Sequence, residues 1–340
     1  MKTKKAWVLH GPRDLRLEDV ELDVDNLKPD EVYVETDASA LSTGTDRGNY
    51  EGAEQVPGAP GYPRWVGYSQ AGTIMKVGDG VTQYAPGDRV FSMQPHRAAF
   101  IAPEASTLVP IPDAVSSEHA SMAYLYHLGF HSLRAGQFTP GENVAVVGTG
   151  ILGLTTIALA RAFGARVVAL SNSEFRMEKA LQVGAHRAWL SSDPDLQEKL
   201  EDFTDGIGID LVVLAANPWP AYRAAVESVR AGGRMAILSL PGRGEDDLDF
   251  NPLSLKWSYG KNLMIKMVGG PTPYGFPLQS GTDRWVKDNG LQFLLHLMED
   301  GAIEPEYLIS HRLPYDRAVE AYEMAYHRDK SMVGVIFQWK

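Results

Sequence analysis

Glu142-Asn143-Val144-Ala145-Val146-Val147-Gly148-Thr149-Gly150-Ile151-Leu152-Gly153 is the stretch that decides the fold of this chain. A polar pair leads into an all-apolar run, the pattern of a strand buried on both faces. The run breaks at a glycine-rich turn and resumes as a helix, Leu154–Gly164, rich in Leu, Ala and Ile. In such a unit Gly148 permits the tight turn, Gly150 lets the backbone approach a pyrophosphate, and Gly153 lets helix and strand pack closely. The helix N-terminus then faces the anion. Glycines at this spacing carry little weight alone. The strand before them, the helix after them and a second apolar strand at Arg166–Leu170 strengthen the reading. The alternative is a glycine-rich turn that holds no ligand.

At 340 residues the chain has room for two domains and a substantial core. It carries 32 basic and 43 acidic side chains, a net charge of −11, with no basic cluster. Nucleic acid and anionic membrane surfaces are therefore not expected as partners. The N-terminus has no apolar signal core, and no apolar run is long enough to span a bilayer, so a cytoplasmic location is expected. Cysteine is absent, which removes disulfides, thiol catalysis and thiolate metal sites together.

Along the chain, Lys4–Leu9, Leu15–Val20 and Glu31–Thr36 read as strands. A loop follows over Ser39–Gly48, then a turn-rich passage over Pro57–Pro63, then another β region from Trp65 to Ile74. Helical period appears over Ser116–Arg134, with Ser116 or Ser117 as cap. From there strands alternate with helices: Val144–Val147, Val167–Leu170, Leu211–Ala215 and Met235–Ser239. Such alternation predicts an α/β, doubly wound parallel sheet covered on both faces. Asn262–Gly269 reads as one further strand, 283–300 and 314–328 as helices, and Val333–Trp339 as a closing strand.

Several of these segments resemble the medium-chain dehydrogenase/reductase superfamily along essentially the whole chain. The resemblance is carried by Gly67-Tyr68-Ser69-Gln70-Ala71-Gly72-Thr73-Ile74, Val77-Gly78, Val81, Gly87-Asp88-Arg89-Val90, the glycine-rich loop and Arg230-Ala231-Gly232-Gly233-Arg234. The tail from Ile309-Ser310-His311-Arg312 to Ala318-Val319-Glu320-Ala321-Tyr322 adds to it. It implies a GroES-like, β-rich catalytic domain over 1–124 and 270–340, with a Rossmann dinucleotide-binding domain inserted over 125–269. It also implies an active site in the cleft and a homodimer built through the Asn262–Gly269 strand.

The departures from the family pattern are informative. Zinc-dependent members have Cys-Gly-Thr-Asp where this chain has Thr43-Gly44-Thr45-Asp46, and Gly-His-Glu where it has Gly67-Tyr68-Ser69. By spacing from His131, their third ligand position falls at Tyr124. Their four-cysteine structural lobe is absent. Thr, Tyr and Tyr do not make an ordinary zinc site, so the chain resembles a zinc-free member, with no metal ligands assigned. Its Ser42-Thr43-Gly44-Thr45 loop is similar to that of bacteriochlorophyllide dehydrogenases.

The expected cofactor is a nicotinamide dinucleotide. The residues assigned to it are Gly148, Thr149, Gly150, Ile151, Leu152 and Gly153, then Ser171, Asn172, Ser173 and Arg176, with Ala215 and Leu240 after the next two strands. NAD-binding Rossmann domains carry an Asp or Glu at the end of the second strand. Here Ser171 stands there, and Ser171, Ser173 and Arg176 can offer hydrogen bonds to a 2′-phosphate. NADP is preferred over NAD on this argument. Arg176 is also compatible with a solvated helix start, and Glu174 stands nearby.

Without zinc, a hydrogen-bond donor must act on the substrate oxygen while the cofactor carries the hydride. Tyr124 and Tyr68 occupy former ligand positions and are the candidate proton donors, with Thr43 and Thr45 positioning substrate or relaying a proton. The alternative is that both tyrosines are core residues with satisfied hydroxyls. His127 shares a helical face with Tyr124 and can relay a proton, or simply pack. His131 reads as structural. Asp46 can accept from a substrate hydroxyl, pair with Arg47 or cap a turn. His96 can contact substrate or be a solvated loop residue. Trp65, Trp257, Tyr259, Tyr274 and Phe276 can line an apolar pocket or serve as core and interface. The leading expectation is a zinc-independent alcohol/ketone oxidoreductase acting on a secondary alcohol or polyol-like hydroxyl. The rivals are a quinone or enone C=C reductase and a non-catalytic NADPH-binding sensor or structural protein.

Overall fold

The fold was taken from a computed structural model that describes residues 1–53, 60–243, 246, 248, 250–268, 284–285 and 288–340. The chain divides into two units, one of Met1–Leu125 with Leu278–Lys340, the other of Tyr126–Pro277.

The second unit is a six-stranded sheet, all parallel, in the order Arg187–Leu190, Arg166–Ser171, Asn143–Val147, Ile209–Leu214, Val229–Ile237, Met264–Met267. Asn143–Val147 is buried at every position, as expected of a strand with helices on both faces. Helices Ile151–Ala162, Glu174–Gln182, Leu196–Phe203 and Trp219–Ser228 alternate with the strands. The helix after the glycine loop begins at Ile151 rather than Leu154, so the loop is tighter than its sequence suggests. Arg187–Leu190 is an edge strand the pattern does not reveal, since none of its four residues is fully buried.

The first unit holds two sheets. Leu15–Leu22, Lys2–Leu9 and Arg64–Trp65 form the smaller. The larger runs Ile309–Pro314, Gly334–Gln338, Glu31–Leu41, Gln70–Val77, Arg89–Ser92, Leu108–Pro110, with Ala99–Pro103 paired to Glu31–Leu41. Two readings need correction here. The Ser39–Gly48 segment is not a loop: the strand continues to Leu41 because Ala38–Leu41 pair with Val335–Gln338, and Thr45–Tyr50 is a helix. The helix expected over Ser116–Arg134 is two, Ser117–Ser121 and Ala123–Ala135, divided at Met122; Ser116 caps the first by accepting from His119 N. Among the described residues no helix is long and apolar enough to cross a membrane. Gly269, Tyr274, Phe276 and residues 57–59 lie outside the described residues.

Candidate functional site

In the second unit the strand Asn143–Val147 delivers Gly148 with φ +98°, a left-handed conformation that glycine adopts freely. A Cβ on Gly148 would lie 2.6 Å from Ala216 Cβ, and one on Gly153 would lie 1.8 Å from the Gly148 carbonyl oxygen. A Cβ on Gly150 would meet nothing within 4 Å. The loop is therefore closed against the protein at Gly148 and Gly153 and open at Gly150, where a phosphate must approach. Gly150 also begins the helix Ile151–Ala162 without any side-chain cap, which leaves its first N–H groups for an anion. These residues fit a dinucleotide pyrophosphate.

At the end of the next strand Ser171 is buried, and its hydroxyl is engaged. It lies 2.6 Å from Thr149 Oγ1, bonds Ser173 O at 3.1 Å and accepts from Ser173 N at 3.2 Å. Asn172 is exposed and Ser173 and Arg176 are partly buried around the same turn. Ser171 thus brings no carboxylate to this place, and it braces the turn with the hydroxyl that sequence reasoning offered to a phosphate. Ala215 is partly buried behind Gly153, whose Cβ would lie 3.5 Å from its own, and Leu240 is exposed. Leu152 holds the first helical turn through its carbonyl, which accepts from Thr155 and Thr156. His127 is buried with Nε2 2.6 Å from His131 Nε2, and burial, with His131 and Arg134 nearby, holds it well below the usual histidine range. It is a neutral ring committed to His131.

In the first unit Tyr68 and Tyr124 meet edge to face, with ring centroids 5.3 Å apart. Ser69 Oγ donates to Ser121 O at 2.6 Å, fastening the Tyr68 segment three residues before Tyr124. The hydroxyls of Ser42 and Thr45 face the Tyr68 phenol. Burial, and then the Asp46 charge, pushes that phenol up, against the pull of the two hydroxyls, so Tyr68 is a protonated donor at neutral pH. Thr43 is partly buried and Thr45 exposed at the start of its helix.

Asp46 is 1% exposed. Its Oδ2 accepts from Ser42 N at 2.9 Å and its Oδ1 from Gly67 N at 3.3 Å. It makes no ion pair with Arg47, which faces Glu51 instead. Burial pushes its carboxyl up to about 6, opposed by those two N–H groups and by the Tyr322 phenol. Asp46 therefore clasps the turn at Thr43 and the start of the helix at Thr45 to the segment carrying Tyr68. Tyr322 is a site neighbour that the sequence did not reveal, because its partner lies 276 positions away.

His96 is not a solvated loop residue. It is wholly buried, its ring edge-on to Phe337 and seated where a Gly67 Cβ would lie, 2.4 Å from its Cδ2. Ser39 Oγ accepts from Trp339 Nε1 at 2.9 Å and shares a second hydrogen bond with His96 Nδ1, also at 2.9 Å. Burial pushes the His96 ring down to about 3, so it is neutral at neutral pH. Trp65 is 43% exposed beneath Arg97, Trp257 is partly buried and Tyr259 exposed.

Thr43, Tyr68 and Tyr124 do not fit zinc, which takes thiolate, imidazole or carboxylate. Among the described residues no three His, Cys, Asp or Glu side chains gather to hold a metal.

Comparison with known proteins agrees with this architecture. The alcohol dehydrogenase GroES-like domain family matches residues 28–113 and the zinc-binding dehydrogenase family residues 152–268. The chain is 26% identical to a sorbitol dehydrogenase of Bacillus subtilis (strain 168), over 94% of this chain and 93% of that protein. It is 27% identical to an L-threonine 3-dehydrogenase of Pyrococcus abyssi (strain GE5 / Orsay), over 95% and 94%. The crystal structure of 2R,3R-butanediol dehydrogenase from Bacillus subtilis shares the fold, with a TM-score of 0.80 at 22% identity over 98% of this chain and 99% of that one.

Proposed function

We propose that this chain, which matches the alcohol dehydrogenase GroES-like and zinc-binding dehydrogenase families over separate stretches, is a zinc-independent, NADP(H)-preferring oxidoreductase of the alcohol/polyol dehydrogenase type in the medium-chain dehydrogenase/reductase superfamily. Its substrate is a secondary alcohol or the corresponding ketone. The observation that carries this reading is the paired phenols of Tyr68 and Tyr124 beside the hydroxyls of Ser42 and Thr45. They stand at the positions where the zinc-dependent pattern places metal ligands. The zinc-free branch is also supported by the likeness of the Ser42–Thr45 loop to bacteriochlorophyllide dehydrogenases.

When bound, the nicotinamide supplies or accepts the hydride. Gly148, Gly150 and Gly153 would hold the pyrophosphate against the N-terminus of Ile151–Ala162. The lack of a carboxylate at Ser171 supports NADP, since none repels a 2′-phosphate. In the ketone-to-alcohol direction Tyr68 or Tyr124 donates its phenolic proton to the oxygen that gains negative charge. Thr45 and Ser42 stabilise the resulting phenolate by hydrogen bonds and lead the replacement proton inward. Burial holds the proton on the phenol and so opposes its transfer, while the Ser42 and Thr45 hydroxyls act the other way by favouring the phenolate. We also propose a homodimer formed along the edge strand Met264–Met267, where Met264 and Met267 are 39% and 51% exposed.

The test is NADPH oxidation against a panel of ketones and a panel of enones, with metal content measured on the same sample. Ketone turnover by metal-free protein is expected. Tyr124→Phe or Tyr68→Phe should lower turnover about 100-fold, the scale of general acid catalysis. Enone turnover alone would assign a C=C reductase. Tight NADPH binding without turnover on either panel would assign a sensor. Bound stoichiometric zinc would end the zinc-independent reading.

A further inference from the structure

Most cations of the first unit have anions set against them. Arg13 faces Glu323 at 2.8 Å, Arg312 faces Glu118 at 2.7 Å and Lys4 faces Glu35 at 2.8 Å. Arg97 does not. Its guanidinium carbon lies over the Trp65 ring, 5.2 Å from the centroid, and 5.4 Å from that of Phe100. Nη2 donates to the neutral amide oxygen of Gln94, and Nε is buried without an acceptor. Among the described residues no carboxylate stands within ion-pair distance of it.

Aromatic faces stabilise a cation from above its plane. They leave the in-plane N–H groups unspent, and a guanidinium has five of them in a fixed fork. A partly buried charge with no counter-ion is costly unless something else supplies the anion. The cost is visible as the burial that pulls Arg97 down to about 10, a value at which it is still a cation at neutral pH. The position is also informative. Arg97 follows His96, whose ring is seated on Gly67. Trp65, its ring partner, precedes Tyr68 by three residues and is 43% exposed, and Arg97 itself is only partly buried.

We propose that Arg97, framed by Trp65, Phe100 and Gln94, is an anion subsite that receives a carboxylate or phosphate group of the substrate. Both groups present two oxygens to the guanidinium fork, the geometry in which arginine binds them most strongly. The preferred substrate is then a hydroxy or keto acid, or a phosphorylated polyol or ketose, rather than a neutral alcohol. This substrate assignment rests on the oxidoreductase reading above; the anion subsite does not.

Two measurements separate them. Full-length protein is titrated with inorganic phosphate and, separately, with malonate, by calorimetry and by tryptophan fluorescence. Saturable binding is expected. It should be lost in Arg97→Met, whose apolar side chain still fills the space between the rings, and partly restored in Arg97→Lys. Trp65→Phe should remove the fluorescence response while calorimetric binding persists. In the second measurement NADPH-dependent turnover is compared for keto acids, ketose phosphates and neutral ketones. Arg97→Met should raise KM for the anionic class relative to the neutral one by about 10- to 100-fold, the span for a hydrogen bond to a charged group. The anion that binds more tightly, phosphate or malonate, identifies the class. No binding of either anion to the native protein, or equal binding by a folded Arg97→Met, overturns the subsite. Turnover in which neutral ketones are used as well as anionic ones overturns the assignment of an anionic substrate. Phosphate or malonate binding that needs Arg97, without turnover of any alcohol or ketone, upholds the subsite and rejects the oxidoreductase reading.

Discussion

Replacing Asp46 with Asn tests whether a buried carboxylate fastens the two segments that carry Thr43, Thr45 and Tyr68. Burial pushes the Asp46 carboxyl from 3.8 up to about 6. Between those values the folded protein holds a proton that the unfolded chain has released. Stability therefore falls as pH rises through this window: the contribution is full below 3.8 and gone above 6. The whole span is worth about 3 kcal/mol, at about 1.4 kcal/mol for each tenfold step. The working range from pH 4.5 to 7.5 contains about 2 kcal/mol of it. Asn carries no such proton. Its amide can also accept only one of the two N–H bonds from Ser42 and Gly67, a loss of about 1–3 kcal/mol that is independent of pH. The expected result is a stability gap between native protein and Asp46→Asn that is largest at pH 4.5 and narrows by about 2 kcal/mol by pH 7.5. Urea unfolding of both proteins across that range, at equal m-values, measures it. A gap constant with pH would refute the argument, because it would mean that Asp46 titrates like an exposed aspartate.

Two further expectations follow from geometry. Gly153→Ala places a methyl group 1.8 Å from the Gly148 carbonyl oxygen, a main-chain atom that cannot step aside. NADPH affinity should fall at least about tenfold in a fluorescence titration, the cost of displacing the phosphate loop from its working geometry. Met267→Glu, on the edge strand Met264–Met267, puts a charge where the proposed dimer would close its sheet, and sedimentation should then show monomer where the native protein shows dimer.

The parallel sheet was legible because its central strands are short apolar runs: Val144–Val147 and Val167–Leu170 are buried throughout, and burial on both faces leaves that mark in sequence. Arg187–Leu190 escaped because an edge strand with partly exposed residues has no such mark. The extension of Glu31–Leu41 was hidden for another reason. Its pairing partner, Val335–Gln338, lies some 300 residues on, and a local pattern of Ala, Ser, Ala and Leu does not announce it. The candidate site divides along the same line. Tyr68 and Tyr124 stand out only when their segments are matched to the family pattern that the sequence resembles. Tyr322 beside Asp46, and the chain from Trp339 through Ser39 to His96, join residues that only the tertiary fold brings together. Arg97 was passed over because an unpaired charge looks like any surface arginine until its surroundings are known.

The same contacts bear on the proposal that phenols stand here at positions the zinc-dependent pattern gives to metal ligands. Asp46 bonds main-chain N–H groups, those of Ser42 and Gly67, and not the side chains that the two segments display. Gly67 itself is held by the His96 ring, which fills the space a side chain would need. Backbone position at Thr43–Thr45 and at Tyr68 is thereby set by groups that do not change when the displayed residues do. On the proposed correspondence, a Thr in place of Cys or a Tyr in place of His would alter the chemistry offered to a substrate at little cost to the fold. This is also why the Asp46→Asn result bears on function: loosening that clasp should move Tyr68 and Thr45 apart, and turnover should fall further than the loss of stability alone would explain.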